Sequence, residues 1–389
     1  MIDCLGRGYG SIRAATNICN ELSKKYSVTF VYYDEKVDDQ LEYKLNNKVN
    51  ILNIYKNKKF HTEKLMLFVL KSVNMITKML PYYLYKKIDE KKSRIYWYFV
   101  FFLHNYLCWK YYFTYNNFDT ISIHGSNAIP IIFFAARKRT RIIISLHSTP
   151  EAEIVTLSSS KFEIALKKKS LNRVDAITVL QDSFISELNK YTKNTKIYQI
   201  PNFINRNKHF IIPKGNNNII AVGSLVKEKN FDILIIALHK IRNLDWRCDI
   251  WGKDCGEFYN LKHLIGRLGL TEKIILKGFT NSIYDEYLNY EIIIQPSFFE
   301  GFPLAVIEAM STGLVPIGFK ACPGINNLIV HGYNGFLASQ NTVGSLAYII
   351  EYVLKNKNIR QKISLNARNS INAYSNELIL QKWERIINE

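Results

Sequence analysis

The sequence is short of acidic residues, of paired cysteines and of long apolar segments. Only 33 Asp and Glu residues stand against 52 Lys and Arg residues, which gives a formal net charge of +19. The cysteines are scattered without a C-x-x-C pair or a metal-ligand spacing, so they are typical of buried thiols in a reducing cytosol. The first residues, Met-Ile-Asp, lack the basic start and apolar run of a secretory signal.

What is present is enough material for two globular domains. A chain of 389 residues exceeds the usual size of a single core, and 48% of its residues are hydrophobic. No low-complexity tract indicates disorder. We therefore expect two packed domains.

The positive charge is concentrated in the first half of the chain. Residues 1–200 carry 31 basic against 17 acidic side chains, whereas residues 201–389 carry 21 against 16. This asymmetry favours an anionic partner for the first half: a membrane surface, a phosphorylated lipid or a nucleic acid.

Residues 56–112 are both basic and aromatic, with 12 Lys and Arg against 3 Asp and Glu. Within them, the largely aromatic run 95–113 contains His104, Asn105 and Lys110, which a membrane-spanning helix would normally exclude. We favour an amphipathic helix packed within the domain. Docking of the basic and aromatic side chains on an anionic bilayer stays a second interpretation, and both can hold.

Short apolar strands alternate with helical patterns along most of the chain, which predicts two parallel α/β sheets. The rhythm breaks at Pro201-Asn202-Phe203 and resumes at Ile219. We expect an N-terminal domain over 1–203 with an insert at about 56–115, a second domain over 204–366, and a C-terminal helix over 367–389. Ligands of such sheets bind beyond the carboxyl ends of the strands, so the loops there are the candidate site.

One of these loops, in Ser297 to Met310, leads from a buried strand directly into an apolar helix. Proline at position 303 suits a first helical position, and free N–H groups at a helix start attract phosphate. Glu308 is the only charge of the helix and needs donors or a cation if it is buried. A structural helix with a capping glutamate explains this stretch equally well.

Three other strand-end loops carry polar candidates, each with a simpler alternative. Gly8-Tyr-Gly10 falls short of a dinucleotide fingerprint and is compatible with a plain tight turn. His147 ends an apolar strand, where a structural histidine is as common as a functional one. Lys227 and Lys229 can meet a phosphate, or form an ordinary solvated pair.

Taken together, the motifs resemble the retaining glycosyltransferases of family 4, in particular the amylovoran-type group of bacterial surface-polysaccharide enzymes. The resemblance runs strongly from about residue 141 to the end, partially over residues 2–22 and weakly over 35–115. Its elements are L-H-S-T-P-E-A-E at 146–153, I-P-N at 200–202, G-S-L-V-K-E-K-N-F-D at 223–232, L-K-G-F-T at 276–280, P-S-F-F-E-G-F-P-L-A-V-I-E-A-M at 296–310 and H-G-Y-N-G-F-L at 331–337.

The resemblance implies a role for each matching residue. Glu300 matches the glutamate that holds donor-sugar hydroxyls and supports the charge of the transition state, and Glu308 matches the one that binds the ribose. His147 matches a catalytic-centre histidine, and Lys229 the lysine on the donor diphosphate. The remaining donor-binding positions are Gly10 in the first glycine loop, Phe279 beside the nucleobase, and Gly301, Phe302, Pro303 and Leu304 in the loop facing sugar and phosphate.

The resemblance also implies a fold and a reaction. The fold is GT-B, with two Rossmann-like domains facing across a cleft and a C-terminal helix crossing back to the first. The reaction moves a hexosyl or N-acetylhexosaminyl group from a nucleotide sugar, UDP favoured over GDP, to a growing, lipid-linked cell-surface glycan of the capsule or lipopolysaccharide kind. No metal or other cofactor and no nucleic acid are expected, and the enzyme is placed at the cytoplasmic face of the membrane.

Two other functions remain compatible with the sequence. A nucleotide-sugar epimerase shares the two-domain shape, and an inactive module that binds membrane or nucleic acid fits the basic first half. The inactive binding module is favoured by Ser224, which stands where the family usually carries an arginine. A bidentate contact to the diphosphate is thereby replaced, at best, by the single charge of Lys227.

Overall fold

The computed structural model describes residues 2–3, 9–32, 45–53, 106, 109–124, 129–155, 161–193, 195–204 and 209–389. The chain divides into two compact units, one formed by Met1–Ile200 with Leu380–Glu389 and the other by Pro201–Ile379. Most of the basic, aromatic segment 56–112 and the residues 4–8 and 125–128 lie outside the described residues.

The first unit is built on a parallel sheet of seven strands in the order β3-β2-β1-β4-β5-β6-β7. Its strands are β1 (Ile2–Asp3), β2 (Thr29–Tyr32), β3 (Asn50–Asn53), β4 (Thr120–His124), β5 (Arg141–Ser145), β6 (Ala176–Val179) and β7 (Lys196–Gln199). Helices of this unit are Tyr9–Leu22, Ile129–Ala135, Pro150–Ile154, Lys161–Leu171 and Ser183–Leu188, and residues 109–115 are also helical.

The second unit holds a parallel sheet of six strands in the order β10-β9-β8-β11-β12-β13. These are β8 (Asn218–Val222), β9 (Arg247–Trp251), β10 (Ile274–Gly278), β11 (Ile292–Gln295), β12 (Val315–Phe319) and β13 (Phe336–Ala338). Its helices are Phe231–Lys240, Phe258–Arg267, Ile283–Tyr287, Leu304–Ser311, Pro323–Leu328, Val343–Lys355 and Lys357–Ser370, with 3-10 turns at Lys227–Lys229 and Ile371–Tyr374.

The C-terminal segment is interrupted, so the single helix expected over residues 367–389 is wrong in its extent. Residue 367 lies within the helix Lys357–Ser370, a 3-10 turn follows, and a separate helix runs over Asn376–Asn388. The end of this last helix is fastened within the first unit. Lys25 Nζ lies 2.7 Å from Glu384 Oε1, and Asn388 Nδ2 donates to Tyr26 Oη at 3.2 Å.

The predicted parallel α/β architecture is confirmed, because strands buried on both faces appear in the sequence as unbroken apolar runs. Every residue of β6, β11 and β12 is buried. Strand ends differ slightly from expectation. In particular, β5 ends at Ser145, so His147 lies beyond the strand rather than at its end.

The segment that enters the second unit is anchored by one buried carboxylate. Glu291 Oε1 accepts hydrogen bonds from the backbone N–H groups of Lys214, Gly215 and Asn216, at 2.5, 2.8 and 3.1 Å. The buried Arg360 guanidinium lies 3.6 Å from the other oxygen of Glu291. Part of the polar stretch between Pro201 and Ile219 is therefore held firmly on the second unit.

In the part of the chain that the structure describes, no helix is long and apolar enough to cross a membrane.

Candidate functional site

The second unit has a switch point in its sheet, between the adjacent strands β8 and β11. The chain adds strands toward β10 on one side of this point and toward β13 on the other. Connections leave in opposite directions there, and this opens a crevice at the carboxyl ends of the strands where ligands of such sheets bind. The loops after β8 and β11 contain the strongest candidates from the sequence, Lys229 and Glu300.

The loop after β8 is shaped by an asparagine with left-handed backbone angles and by a glycine that directly follows the neighbouring strand β9. Asn230 has φ 52° and separates the 3-10 turn Lys227–Lys229 from the helix Phe231–Lys240. Asparagine tolerates this region of φ better than most residues. A Cβ atom at Gly252 would lie 1.8 Å from the carbonyl oxygen of Gly223, so only glycine allows the loop to pass so close.

Asn230 also ties the two loops together. In the amide orientation that satisfies both of its polar groups, its side chain donates to the carbonyl of Lys227 and accepts from the N–H of Phe298, each at 3.2 Å. One bond stays within the loop after β8, and the other reaches the loop after β11. The relative position of Lys229 and Glu300 is thereby restrained by a residue outside the predicted set.

Lys229 and Glu300 form a direct ion pair, with Nζ 2.7 Å from Oε1. The Glu300 side chain is 11% exposed and that of Lys229 is 27% exposed. Gln295, the last residue of β11, donates from Nε2 to the same Glu300 oxygen at 2.8 Å. Two donors on Oε1 fix the rotation of the carboxylate.

Gln295 is the functional candidate that the sequence interpretation missed. It is buried, and its Nε2 also lies 2.9 Å from the hydroxyl of the buried Ser297. Its Oε1 atom is buried without a hydrogen-bond partner among the described residues. In the sequence, the one sign of its role is an amide at the end of an otherwise apolar strand. Such an amide looks like an ordinary strand boundary.

The main chain around Glu300 is held against the helix Pro323–Leu328. Gly324 donates its N–H to the carbonyl of Glu300 at 3.1 Å, and a Cβ atom at Gly324 would come within 2.5 Å of that oxygen. Pro303 is the N-cap rather than the first helical residue, because its ψ of 90° is extended and the helix begins at Leu304. Its carbonyl accepts the N–H groups of Val306 and Ile307 at 3.0 and 3.3 Å.

The helix Leu304–Ser311 is buried as predicted, and Glu308 is only 2% exposed within it. Gly301 and Phe302, which precede it, are half-buried. The aromatic ring of Phe302 contacts that of Tyr374, with ring centroids 5.2 Å apart.

Two predicted residues of the second unit lie away from this cluster. Phe279 is 44% exposed and follows β10, the edge strand, which β9 separates from β8. The preceding Lys277 lies over the Trp251 ring at 5.4 Å and 3.8 Å from the Asp249 carboxylate. Lys227 is exposed and lines a separate cavity of about 300 Å³ with Asp232, Glu257 and Arg267 among its lining residues.

In the first unit, His147 is paired with a second histidine. Its Nε2 atom lies 2.6 Å from Nδ1 of His124, the last residue of β4, and the two rings stack at 4.9 Å. Burial lowers the pKa of His147 to about 4 and lowers that of His124 well below the usual value. Both imidazoles are therefore neutral near pH 7. The backbone of Gly10 lies in the first turn of the helix Tyr9–Leu22 rather than in a loop.

Two family models match the chain. Residues 10–208 match the model "Glycosyltransferase Family 4", and residues 203–370 match "Glycosyl transferases group 1".

Individual proteins match at moderate identity. The chain is 31% identical over 189 residues to an uncharacterized glycosyltransferase of Haemophilus influenzae, over 46% of this chain and 53% of that protein. It is 24% identical over 288 residues to the N-acetyl-alpha-D-glucosaminyl L-malate synthase of Bacillus anthracis, over 69% of this chain and 74% of that protein. The matched region thus spans about half the length of the first relative.

Among solved structures, a point mutant of S. aureus TarM in complex with fondaparinux, alpha-GlcNAc-glycerol and UDP superposes with a TM-score of 0.77. The match covers 100% of this chain and 99% of that one, at 14% sequence identity. This likeness and the two parallel sheets confirm the expected GT-B fold of two Rossmann-like domains.

Proposed function

Because the chain belongs to glycosyltransferase family 4, we propose that it transfers a hexosyl or N-acetylhexosaminyl group, with retention, from a UDP-sugar to a growing cell-surface glycan. The observation that carries this proposal is the cluster of Lys229, Glu300 and Gln295 at the switch point of the second sheet.

The donor diphosphate is assigned to Lys229 and to the start of the helix Leu304–Ser311. Departure of a nucleoside diphosphate places negative charge on the β-phosphate, which a positioned ammonium group and a helix N-terminus stabilise. The Lys229 ammonium group lies 2.7 Å from Glu300 Oε1. With a donor, the ammonium group can contact the phosphate while it stays beside the carboxylate.

The donor sugar is assigned to Glu300. Both the ammonium of Lys229 and the amide of Gln295 contact Oε1, so Oε2 is left to accept hydrogen bonds from sugar hydroxyls. A carboxylate held in this way also favours the positive oxocarbenium character of the sugar in the transition state. Glu308, which is buried about one turn into the helix Leu304–Ser311, is assigned to the ribose hydroxyls.

The donor is proposed to be a UDP-sugar because the structurally similar TarM binds UDP. A metal is not needed in this scheme, since Lys229 supplies the cation that the leaving group requires. The acceptor is proposed to be lipid-linked, with the enzyme held at the cytoplasmic face of the membrane by its basic first half.

The decisive experiment is a mass-spectrometric screen of nucleotide sugars, with and without saccharide acceptors and in the presence of EDTA. We expect acceptor-dependent transfer from a UDP-sugar that EDTA leaves unchanged. Donor conversion without an acceptor would instead indicate an epimerase. An absence of binding of both UDP and GDP in calorimetry would favour the alternative of an inactive binding module.

The same assay tests the assigned residues. Glu300→Ala and Lys229→Ala should each reduce transfer at least about 100-fold, because each removes one side of the cluster that contacts sugar and leaving group. The exposed residues Glu272 and Lys240 supply matched controls, and Glu272→Ala and Lys240→Ala should retain full activity. Circular dichroism checks that all four variants are folded, and undiminished turnover in the first two would refute the site.

A further inference from the structure

A chain of four polar side chains runs through the first sheet and ends at His147. The Ser122 hydroxyl lies 3.0 Å from His124 Nε2 and 3.5 Å from the Ser145 hydroxyl. His124 Nδ1 in turn lies 2.6 Å from His147 Nε2. His124 is fully buried, and parallel pairing sets it beside Ser145 on the neighbouring strand.

Each of these contacts needs one hydrogen atom, so the donors and acceptors can be arranged in two directions along the series of side chains. In the first, Ser122 donates to His124 Nε2, His124 Nδ1–H donates to His147 Nε2, and His147 carries its proton on Nδ1. In the second, His147 Nε2–H donates to His124, His124 Nε2–H donates to Ser122, and His147 Nδ1 is an acceptor.

The distances favour the first direction. It uses the Ser122 proton in the 3.0 Å contact, and the Ser145 hydroxyl can donate to Ser122. In the second direction, the acceptor left for the Ser122 proton among the described residues is the Ser145 hydroxyl at 3.5 Å, which is at the limit of a hydrogen bond. Buried hydroxyl protons are rarely left without a good acceptor.

This series of hydrogen-bonded side chains ends at the Nδ1 atom of His147. His147 Nδ1 is buried and has no partner among the described residues. The backbone N–H of His147 donates to the Glu153 carboxylate at 3.2 Å. An N–H group at Nδ1 could therefore donate a hydrogen bond to an oxygen atom of a ligand, such as a sugar hydroxyl or a phosphate.

We propose that His124, supported by Ser122, is a positioning residue that fixes His147 as the Nδ1–H tautomer, so that His147 presents a hydrogen-bond donor to the substrate. Neutral histidine exists in two tautomers, and the partner of one ring nitrogen decides which one is present. The identity of the substrate oxygen rests on the proposed transferase function, whereas the tautomer itself does not.

The direct test is the side-chain ¹⁵N spectrum of the 389-residue chain labelled at its eight histidines. The expected result is an Nδ1–H tautomer at both His124 and His147, with the His147 signal assigned by its loss in His147→Gln. An Nε2–H tautomer at His147 in the wild-type protein would overturn the proposal. This measurement needs no substrate, so it stands or fails separately from the transferase assignment.

Two nearly isosteric variants then link the tautomer to activity. In His124→Asn the amide N–H can replace Nδ1–H as a donor, so His147 should keep its tautomer and transfer should stay within about threefold of wild type. In His124→Leu neither a donor nor an acceptor faces His147 Nε2, so the Nδ1–H tautomer should no longer be fixed and kcat should fall at least about tenfold, with UDP affinity unchanged. Equal kcat values for the two folded variants would contradict the positioning role.

Discussion

At the scale of single residues, the most informative feature of the candidate site is the amide of Gln295. Hydrogen bonds to charged groups contribute about 1.5–3 kcal/mol, and a rotating carboxylate beside a mobile lysine would hold a sugar poorly. The contacts of Gln295 at 2.8 Å to Glu300 and 2.9 Å to Ser297 give the carboxylate one fixed orientation.

Substitution of Gln295 should therefore affect catalysis in two distinct ways. Gln295→Leu removes one donor from Glu300 and should lower kcat about 10-fold. Gln295→Glu places a second carboxylate against Glu300, so the pair should share a proton, and the acidic limb of the pH–rate profile should move to higher pH. Turnover measured from pH 5 to 9 distinguishes the two. Wild-type profiles in both variants would exclude a role for Gln295.

The buried histidines predict a specific acid sensitivity of folding. The pKa of His147 is lowered to about 4 by burial, whereas an unfolded histidine titrates near 6.5. Between these values the unfolded chain binds the additional proton, so stability that is complete above about pH 6.5 should decrease as the pH falls toward 4. Urea unfolding from pH 7 to 4.5 measures this loss, and His147→Gln should reduce it. An unchanged slope in the variant would show that other groups dominate.

At the scale of elements, the site depends on close approaches between main-chain segments that only glycine permits. The carbonyl of Gly223 passes Gly252, and the carbonyl of Glu300 passes Gly324, each at a distance that a Cβ atom could not accept. The first contact holds the loop after β8 against the end of β9, and the second holds the loop after β11 against the helix Pro323–Leu328. The sheet and its helices therefore determine the positions of Lys229 and Glu300.

Two glycine-to-alanine substitutions test this dependence. Gly252→Ala would place a Cβ atom 1.8 Å from the carbonyl of Gly223, so it should destabilise the protein by about 1–3 kcal/mol and weaken UDP binding. Gly266→Ala has open space in the helix Phe258–Arg267 and should stabilise by about 0.5–1 kcal/mol. Urea unfolding and UDP calorimetry measure both effects, and intact binding in the first variant would refute the role of the close approach.

The parts of the fold that sequence reasoning recovered are those with a strong local pattern. The apolar runs at β11 and β12 and the apolar helix Leu304–Ser311 have one stable environment, the interior of a parallel sheet. Strands β3 and β13 were missed because Asn50-Ile-Leu-Asn53 and Phe336-Leu-Ala338 are too short to show a pattern. His124 was missed because its contact with His147 depends on the register of β4 and β5, which brings distant residues together. Gln295 was missed because an amide at the end of an apolar strand looks like an ordinary strand boundary, and its contact with Glu300 depends on how the following loop folds back.

At the scale of the whole molecule, charge distribution is the feature that the two α/β units leave unexplained. The net charge of +19 exceeds what binding one nucleotide sugar requires, and the first half of the chain carries most of it. A lipid-linked acceptor would place the enzyme at an anionic membrane surface, where clustered Lys and Arg residues each contribute about 1 kcal/mol of attraction.

The 389-residue chain should therefore bind anionic liposomes in a salt-dependent manner. Sedimentation with vesicles containing about one third phosphatidylserine should recover most of the protein at low ionic strength. It should recover little at about 0.5 M salt, because surface charges are screened within a few ångströms there. Vesicles of phosphatidylcholine alone are the control.

A variant with Lys86, Lys87, Lys91 and Lys92 changed to Gln should lose most of the binding to anionic vesicles. It should still bind UDP, since these residues precede the second unit. Equal recovery with neutral and anionic vesicles would contradict electrostatic docking, and loss of UDP binding in the variant would show that the substitutions act on folding instead.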